Sequence, residues 1–265
     1  MKKITKLIIS IFYFYTKLIL SNVLKIFGVK SNPVFTILYY HSIYQDEVIA
    51  FKNQLTVLNK LTKIVNLKDK LSLEKNNFYS AITFDDGFVN LLENALPVME
   101  KMNIPAMIFI PTGFIGKKPE WDFEGYERDR KETVMNEEQI KNLNSKLFSI
   151  GSHTVSHPRL TKLNDDKIKD ELYNSKIKLE DILDKKVTDL SFPHGEYNNK
   201  IVSEAFKIGY ENLYTIIPEN VKLNPDKNIM GRVSVTPVDW DIEFKLKIRG
   251  AYNWTRLIQR LKNPR

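Results

Sequence analysis

Two short stretches carry the residue types of a metal-dependent hydrolase. Thr83-Phe84-Asp85-Asp86-Gly87 sets two adjacent carboxylates just past an apolar run, and Ser152-His153-Thr154-Val155-Ser156-His157 sets two imidazoles four residues apart after another. One oxygen and two nitrogen donors suit zinc or a similar divalent ion and leave positions for water and substrate, the mark of a catalytic metal rather than a structural one. The chain has only 4 histidines, so two at this spacing are informative. Singly, each stretch has a plain structural reading: Asp-Asp-Gly is a common turn and helix N-cap, and either histidine is an ordinary loop residue. Together they point to one site. Side chains alternate along an extended segment, so one aspartate can ligate while its neighbour stays free as a base. Gly87 permits a sharp turn into the next helix. His153 and His157, on a short turn or helical segment, would share a face.

The elements that must position these residues follow a regular plan. From residue 34 the pattern alternates strand and helix. Strands are predicted at 34–40, 80–84, 106–110, 148–151, 189–192, 212–216 and 229–235, with helical periods at 51–61, 89–102, 137–143, 165–183 and 199–208. Such alternation implies a parallel sheet, open or closed into a barrel. The candidate ligands directly follow the second and fourth strands, and in a barrel the loops at the strands' C-terminal ends converge on one site. The polar stretch 114–134, with Trp121, Phe123 and Tyr126, reads as a long loop over one side of the mouth.

The chain of 265 residues, 43% apolar, fits one large domain of the barrel kind or two small ones. It has no cysteine, which excludes disulfides, thiolate metal sites and a thiol nucleophile. Its net charge of +8 sits at the ends: residues 1–30 hold 6 lysines and residues 244–265 hold 7 basic side chains, neither with an acid. Residues 31–243 carry 27 basic and 32 acidic groups. A mildly acidic body argues against a nucleic-acid groove, and basic ends favour an anionic membrane surface. Ile4, Leu7, Ile8, Ile11, Phe12, Tyr15, Leu18 and Ile19 recur at helical spacing, interrupted by Lys6 and Lys17. This favours an amphipathic helix lying in the interface; a helix packed on the protein's own surface and a tilted signal anchor are the alternatives.

The motifs resemble a known family. Thr83-Phe84-Asp85-Asp86-Gly87 and Ser152-His153-Thr154-Val155-Ser156-His157-Pro158 are similar to the first two motifs of the polysaccharide deacetylases, the NodB-homology group or carbohydrate esterase family 4. Ser191-Phe192-Pro193-His194-Gly195-Glu196-Tyr197-Asn198 resembles their third, and Ile37-Leu38-Tyr39-Tyr40-His41-Ser42 resembles the opening strand of the branch that deacetylates poly-N-acetylglucosamine. The resemblance runs over about residues 34–240. It implies a distorted (β/α)7 barrel, placed as a single catalytic domain at 31–265, and the amphipathic pattern described above sets a membrane-associating helical segment at 1–30 before it.

It also implies roles. Asp86, His153 and His157 would bind a divalent metal, zinc first, with nickel, cobalt or ferrous iron as alternatives. Asp85 would be the base that activates the attacking water, and a backbone N–H near His194, on a loop shaped by Pro193 and Gly195, would hold the oxyanion. Tyr197 and Trp240 join these as expected substrate contacts, Trp240 within a fragment, Asp239-Trp240, of a fourth family motif. Two departures stand out. Ser191 occupies a position where many members carry an arginine that orients the base, and Arg232 is the candidate substitute. No histidine follows His194, although many members supply a late histidine as general acid; His41 is the first candidate for that acid and His194 the second. The expected activity is removal of N-acetyl groups from amino sugars of a polysaccharide or lipid-linked glycan at a bacterial cell envelope. A carbohydrate-binding pseudoenzyme and an amide hydrolase of non-sugar substrates are the alternatives.

Overall fold

The apolar segments form strands where the alternation predicts them. A computed structural model describes residues 2–69, 72–121, 123, 127–221 and 228–262; Tyr126 lies outside these residues. The strands are β1 (Val34–Tyr40), β2 (Lys63–Ile64), β3 (Phe78–Phe84), β4 (Ala106–Ile110), β5 (Phe148–Ser152), β6 (Asp189–Ser191), β7 (Asn212–Thr215) and β8 (Asn228–Ser234). All pair in parallel, and β1 joins β8 on one side and β3 on the other, closing a seven-stranded ring. The remaining strand, β2, is a stub. It pairs with the start of β3 (Lys63↔Tyr79), while β4 pairs with its end (Thr83↔Met107). Two residues give no periodic signal, so the sequence pattern did not resolve β2.

Strands buried on both faces read as near-continuous apolar runs, and β1 shows why. Phe35 and Ile37 point into the ring, where they pack with Tyr79, Ala81, Met107 and Phe109. Leu38 and Tyr40 point outward, into the larger core beneath the surrounding helices. Those helices are α2 (Val48–Leu61), α3 (Leu96–Lys101, preceded by a π-helical turn at Leu91–Ala95), α4 (Glu137–Lys141), α5 (Asp165–Leu183), α6 (Asn199–Ile208) and α7 (Asp241–Ile248). At the base of the ring, buried Asp189 accepts from Tyr214 Oη at 2.9 Å and pairs with Lys68. That plug satisfies a carboxylate that would otherwise be unpaired in an apolar interior.

Two helices lie at the ends of the chain: α1 (Lys3–Ile26) and α8 (Thr255–Lys262). α1 is long and apolar enough to cross a membrane. Here it lies along the barrel wall, with Leu7, Ile11 and Phe14 on Leu246, Ala251 and Tyr252. Trp254 Nε1 donates to the buried Ser10 hydroxyl at 2.9 Å, and Lys3 pairs with Glu243 of α7 at 3.0 Å. The rest of α1 stays uncovered; Phe12 is 75% and Ile19 64% exposed.

Candidate metal centre

The site is built on abrupt turns at the C-terminal ends of β3 and β5. Asp85 N–H still donates to Tyr40 O at 2.9 Å, continuing the ladder. The next residue, Asp86, turns left-handed (φ 66), followed by Gly87 (φ 56). A Cβ on Gly87 would lie 2.2 Å from Ile110 Cδ1, forcing that side chain to move, and the positive φ would strain any residue but glycine. Strand alternation would send the two carboxylates to opposite sides. The left-handed turn brings both into one cavity of about 360 Å³ instead.

The histidine segment is also not a helical turn. After β5, Thr154 (φ 66) and His157 (φ 55) both take the left-handed conformation. That is costly for a non-glycine residue, above all a β-branched one. Glu171 on α5 holds the loop, accepting from Val155 N and Ser156 N at 2.8 Å each and from Ser156 Oγ at 2.5 Å. The two imidazoles thereby converge, with ring centroids 4.8 Å apart. Trp121 stacks on His157 at 4.6 Å, with Phe123 stacked on Trp121 in turn, so the 114–134 loop walls the cavity as expected.

Asp86, His153 and His157 each offer one donor atom, all within 4.8 Å of one another and all buried. Asp86 Oδ1 lies 3.8 Å from His153 Nε2 and 3.6 Å from His157 Nε2, beyond good hydrogen-bond length, and Oδ1 has no hydrogen-bond partner. Burial, then the charges of Asp85 and Asp129, push Asp86 well above the usual carboxylate range. Burial also lowers His153 to about 4 and His157 well below an ordinary imidazole. His153 Nδ1 faces Ser191 O at 2.8 Å, which assigns the proton to Nδ1 and turns the Nε2 lone pair toward Asp86. A starved carboxylate beside two neutral imidazoles is the donor set of a divalent cation, so the residues fit the expected metal.

Beneath this cluster Arg232, fully buried on β8, grips Asp85 with both arms: Nη1–Oδ1 is 2.7 Å and Nη2–Oδ2 is 2.8 Å. Its remaining donors reach Ser191 Oγ at 2.7 Å, Thr83 Oγ1 at 3.0 Å and Thr215 O at 3.4 Å. Burial pushes Asp85 up, but the Arg232 charge, with His153, pulls it down to about 2. Arg232 thus holds Asp85 from β8, and the Ser191 hydroxyl accepts from it.

Residues 73–213 match the polysaccharide deacetylase family. The chain belongs to this family. Over 182 residues it is 29% identical to the Bacillus subtilis (strain 168) protein YxkH, a match covering 69% of this chain and 59% of that protein's length. Among solved structures it is similar to IcaB from Ammonifex degensii (TM-score 0.65, 21% identity, 82% of this chain and 98% of that one). It is also similar to BC0361, a polysaccharide deacetylase from Bacillus cereus (TM-score 0.61, 24% identity, 83% and 69%). These two likenesses establish the fold, the distorted parallel barrel of the family.

The other expected site residues divide. His41 and His194 line the cavity, with the His194 ring 4.7 Å from that of His157. Pro193 and Gly195 are buried, and a Cβ on Gly195 would lie 2.1 Å from Ile216 Cγ1. Gly195 N–H and Glu196 N–H donate to Phe192 O and Pro193 O, which removes both from an oxyanion role. Tyr197 does not line the cavity but stacks on Phe192 at 5.1 Å. Trp240 also lies outside it: the residue stands just before α7, is 45% exposed and has its ring under Lys3 Nζ at 4.6 Å. A two-residue motif fragment fixes no orientation, and α7 turns this indole toward α1. Sequence reasoning missed Glu171, Asp129 and the Arg159–Glu196 ion pair. Asp129 is buried, accepts from Tyr44 Oη and lines the cavity; Arg159 and Glu196 line it as well. Single charges, on a helix or in a loop, carry no spacing signal.

Proposed function

We propose that this chain is a metal-dependent hydrolase that removes N-acetyl groups from amino sugars of a bacterial glycan. The observation that carries the reading is the buried Asp86–His153–His157 cluster beside a carboxylate held ionised by Arg232. Those three residues would hold the ion, zinc being the first choice for one oxygen and two imidazole donors. When bound, it would polarise the acyl carbonyl and acidify the attacking water, which is what lets a carboxylate as weakly basic as Asp85 take the proton.

The remaining roles fall to side chains. Asp85 is the general base, and Arg232 is its positioning residue, because a bidentate grip fixes the carboxylate plane. His41 is the proposed donor of the proton to the leaving amine. Burial lowers His41, the charges of Asp85 and Asp129 only partly oppose that, and Arg232 adds to it, so the role rests on the place of His41 in the cavity and not on its resting charge. Trp121, stacked between His157 and Phe123, walls the side of the cavity where a sugar would approach. We assign residues 31–265 to the hydrolase domain and residues 1–30 to attachment at an anionic membrane surface of the cell envelope. The exposed apolar side of α1 and its lysines support that attachment. The test is acetate release from N-acetylglucosamine oligomers and lipid-linked acetamido sugars by metal-loaded protein. Protein that binds the ion stoichiometrically yet releases no acetate from either class would refute the reading and leave a carbohydrate-binding pseudoenzyme.

A further inference from the structure

α1 meets the barrel in two different ways. Its N-terminal half is docked through Leu7, Ser10, Ile11 and Phe14. Its C-terminal half stands off, leaving a groove of about 450 Å³ against the base of β1 and β3. That volume lies within the ~300–1,000 Å³ typical of small-molecule sites. Leu18, Leu24 and Phe78 form an apolar wall, and each stays more than a third exposed (40%, 42% and 37%).

The charge around this wall is one-sided. Lys17, Lys25 and Arg249 line the groove and no carboxylate does. Two of the cations are held on aromatic faces: Lys17 Nζ lies 4.7 Å from the Tyr13 ring and the Arg249 guanidinium 5.7 Å from the Phe14 ring. None of the three has a carboxylate partner among the described residues. Cations parked beside uncovered hydrocarbon complement an amphiphile with an anionic head and an apolar tail. A second copy of the chain is a poor occupant, because a two-fold contact would set this basic patch against itself.

The geometry points to a binding site for one anionic lipid, its tail between α1 and the start of β3 and its headgroup on Lys17, Lys25 and Arg249. The groove lies at the N-terminal ends of the strands, opposite the metal centre, so this lipid is not the substrate. The site stands independently of the deacetylase reading. It also runs into the uncovered tail of α1, where Ile26 and Phe27 are exposed.

The test titrates full-length, metal-loaded protein with lysophosphatidylglycerol below its micelle concentration, read by native mass spectrometry and calorimetry. Lysophosphatidylcholine of the same chain length and glycerol 3-phosphate run alongside. One lysophosphatidylglycerol should bind per chain and saturate, the zwitterion at least about tenfold more weakly, and the headgroup alone not measurably. The double variant Lys17→Glu/Arg249→Glu should lose the preference for the anionic head. Leu24→Trp should fill the groove and weaken both lysolipids. Both variants should keep the parent's metal content and circular dichroism, which separates a lost site from a lost fold. Equal affinity for the two lysolipids, uptake that never saturates, or unchanged binding in both variants overturns the proposal. So does a lipid-free dimer whose formation Leu24→Trp abolishes.

Discussion

Asp85 and Asp86 are neighbours with opposite electrostatic fates, and that contrast yields the sharpest tests. Burial, then the charges of Asp85 and Asp129, raise Asp86, which favours a proton there in the metal-free site, while burial favours the neutral form of both imidazoles. Metal binding should therefore release up to one proton, from Asp86, and affinity should fall as pH drops beneath its raised pKa. Calorimetry in buffers of different ionisation enthalpy reads this, and Asp86→Asn should abolish the release. Two protons released near pH 6 would mean that the histidines titrate instead. Asp85→Asn should keep the metal and lose turnover; loss of metal there, with retention in Asp86→Asn, would reverse the two roles. Arg232→Met strands a buried carboxylate, which costs about 3–5 kcal/mol. Asp85 sits at about 2 in the folded protein against ~3.9 unfolded. The pair's contribution is thus full above pH ~4 and lost as pH falls toward 2. Without Arg232, Asp85 should protonate more readily, and the variant's deficit in denaturant unfolding should shrink between pH 7 and pH 4. A deficit constant with pH would mean that packing, not charge, is what Arg232 supplies. His41→Ala should retain metal and lose roughly 10²–10⁴-fold in turnover, with His194→Phe costing far less. The reverse order would make His194 the acid.

At the scale of elements, the loop after β5 depends on a helix that contributes no ligand. Glu171 occupies three donors of that loop, so Glu171→Ala should weaken metal affinity ~10–100-fold, the usual cost of losing a ligand's support, with α5 intact by circular dichroism. Unchanged affinity would mean that the left-handed residues hold the loop unaided. The elements themselves were largely legible: α5 and α6 begin and end where the apolar period does, and all seven ring strands fall at the predicted runs. What the sequence hid was direction. Period-two alternation sets Asp85 and Asp86 apart, and helical spacing puts His153 and His157 on one face. The fold overrides both with left-handed turns at Asp86, Thr154 and His157. Arg232 was reachable because Ser191 stands where many family members carry an arginine and Arg232 lies in the last predicted strand. Asp129 and Glu171 were not, because their roles depend on contacts from distant segments.

For the whole molecule, the question is what α1 does for a barrel that closes without it. Removing residues 1–30 uncovers Leu246, Ala251 and Tyr252 and takes Lys3 from Glu243, which keeps Lys247 at 3.4 Å. The shortened protein should remain folded and metal-binding with a lower melting temperature. It should also lose its affinity for anionic vesicles, which in the full chain should weaken with salt as lysine attraction is screened. Flotation assays at two ionic strengths read both effects. Truncated protein that precipitates, with full-length protein that ignores vesicles, would make α1 part of the folded body alone.

The docking of α1 on Leu246, Tyr252 and Trp254 also fixes an order of events during synthesis. The helix leaves the ribosome more than two hundred residues before the surface that covers it. At ~5–20 residues per second that interval is roughly 10–45 s. Throughout it Leu7, Ile11 and Phe14 have no native partner, and β1 can pair with β3 but not yet with β8. A nascent chain in that state offers its apolar helix first to whatever lies near the exit tunnel, a bilayer or a chaperone. Docking on the barrel therefore waits on the completion of α7 and the segment that follows it, and timing as well as equilibrium governs it.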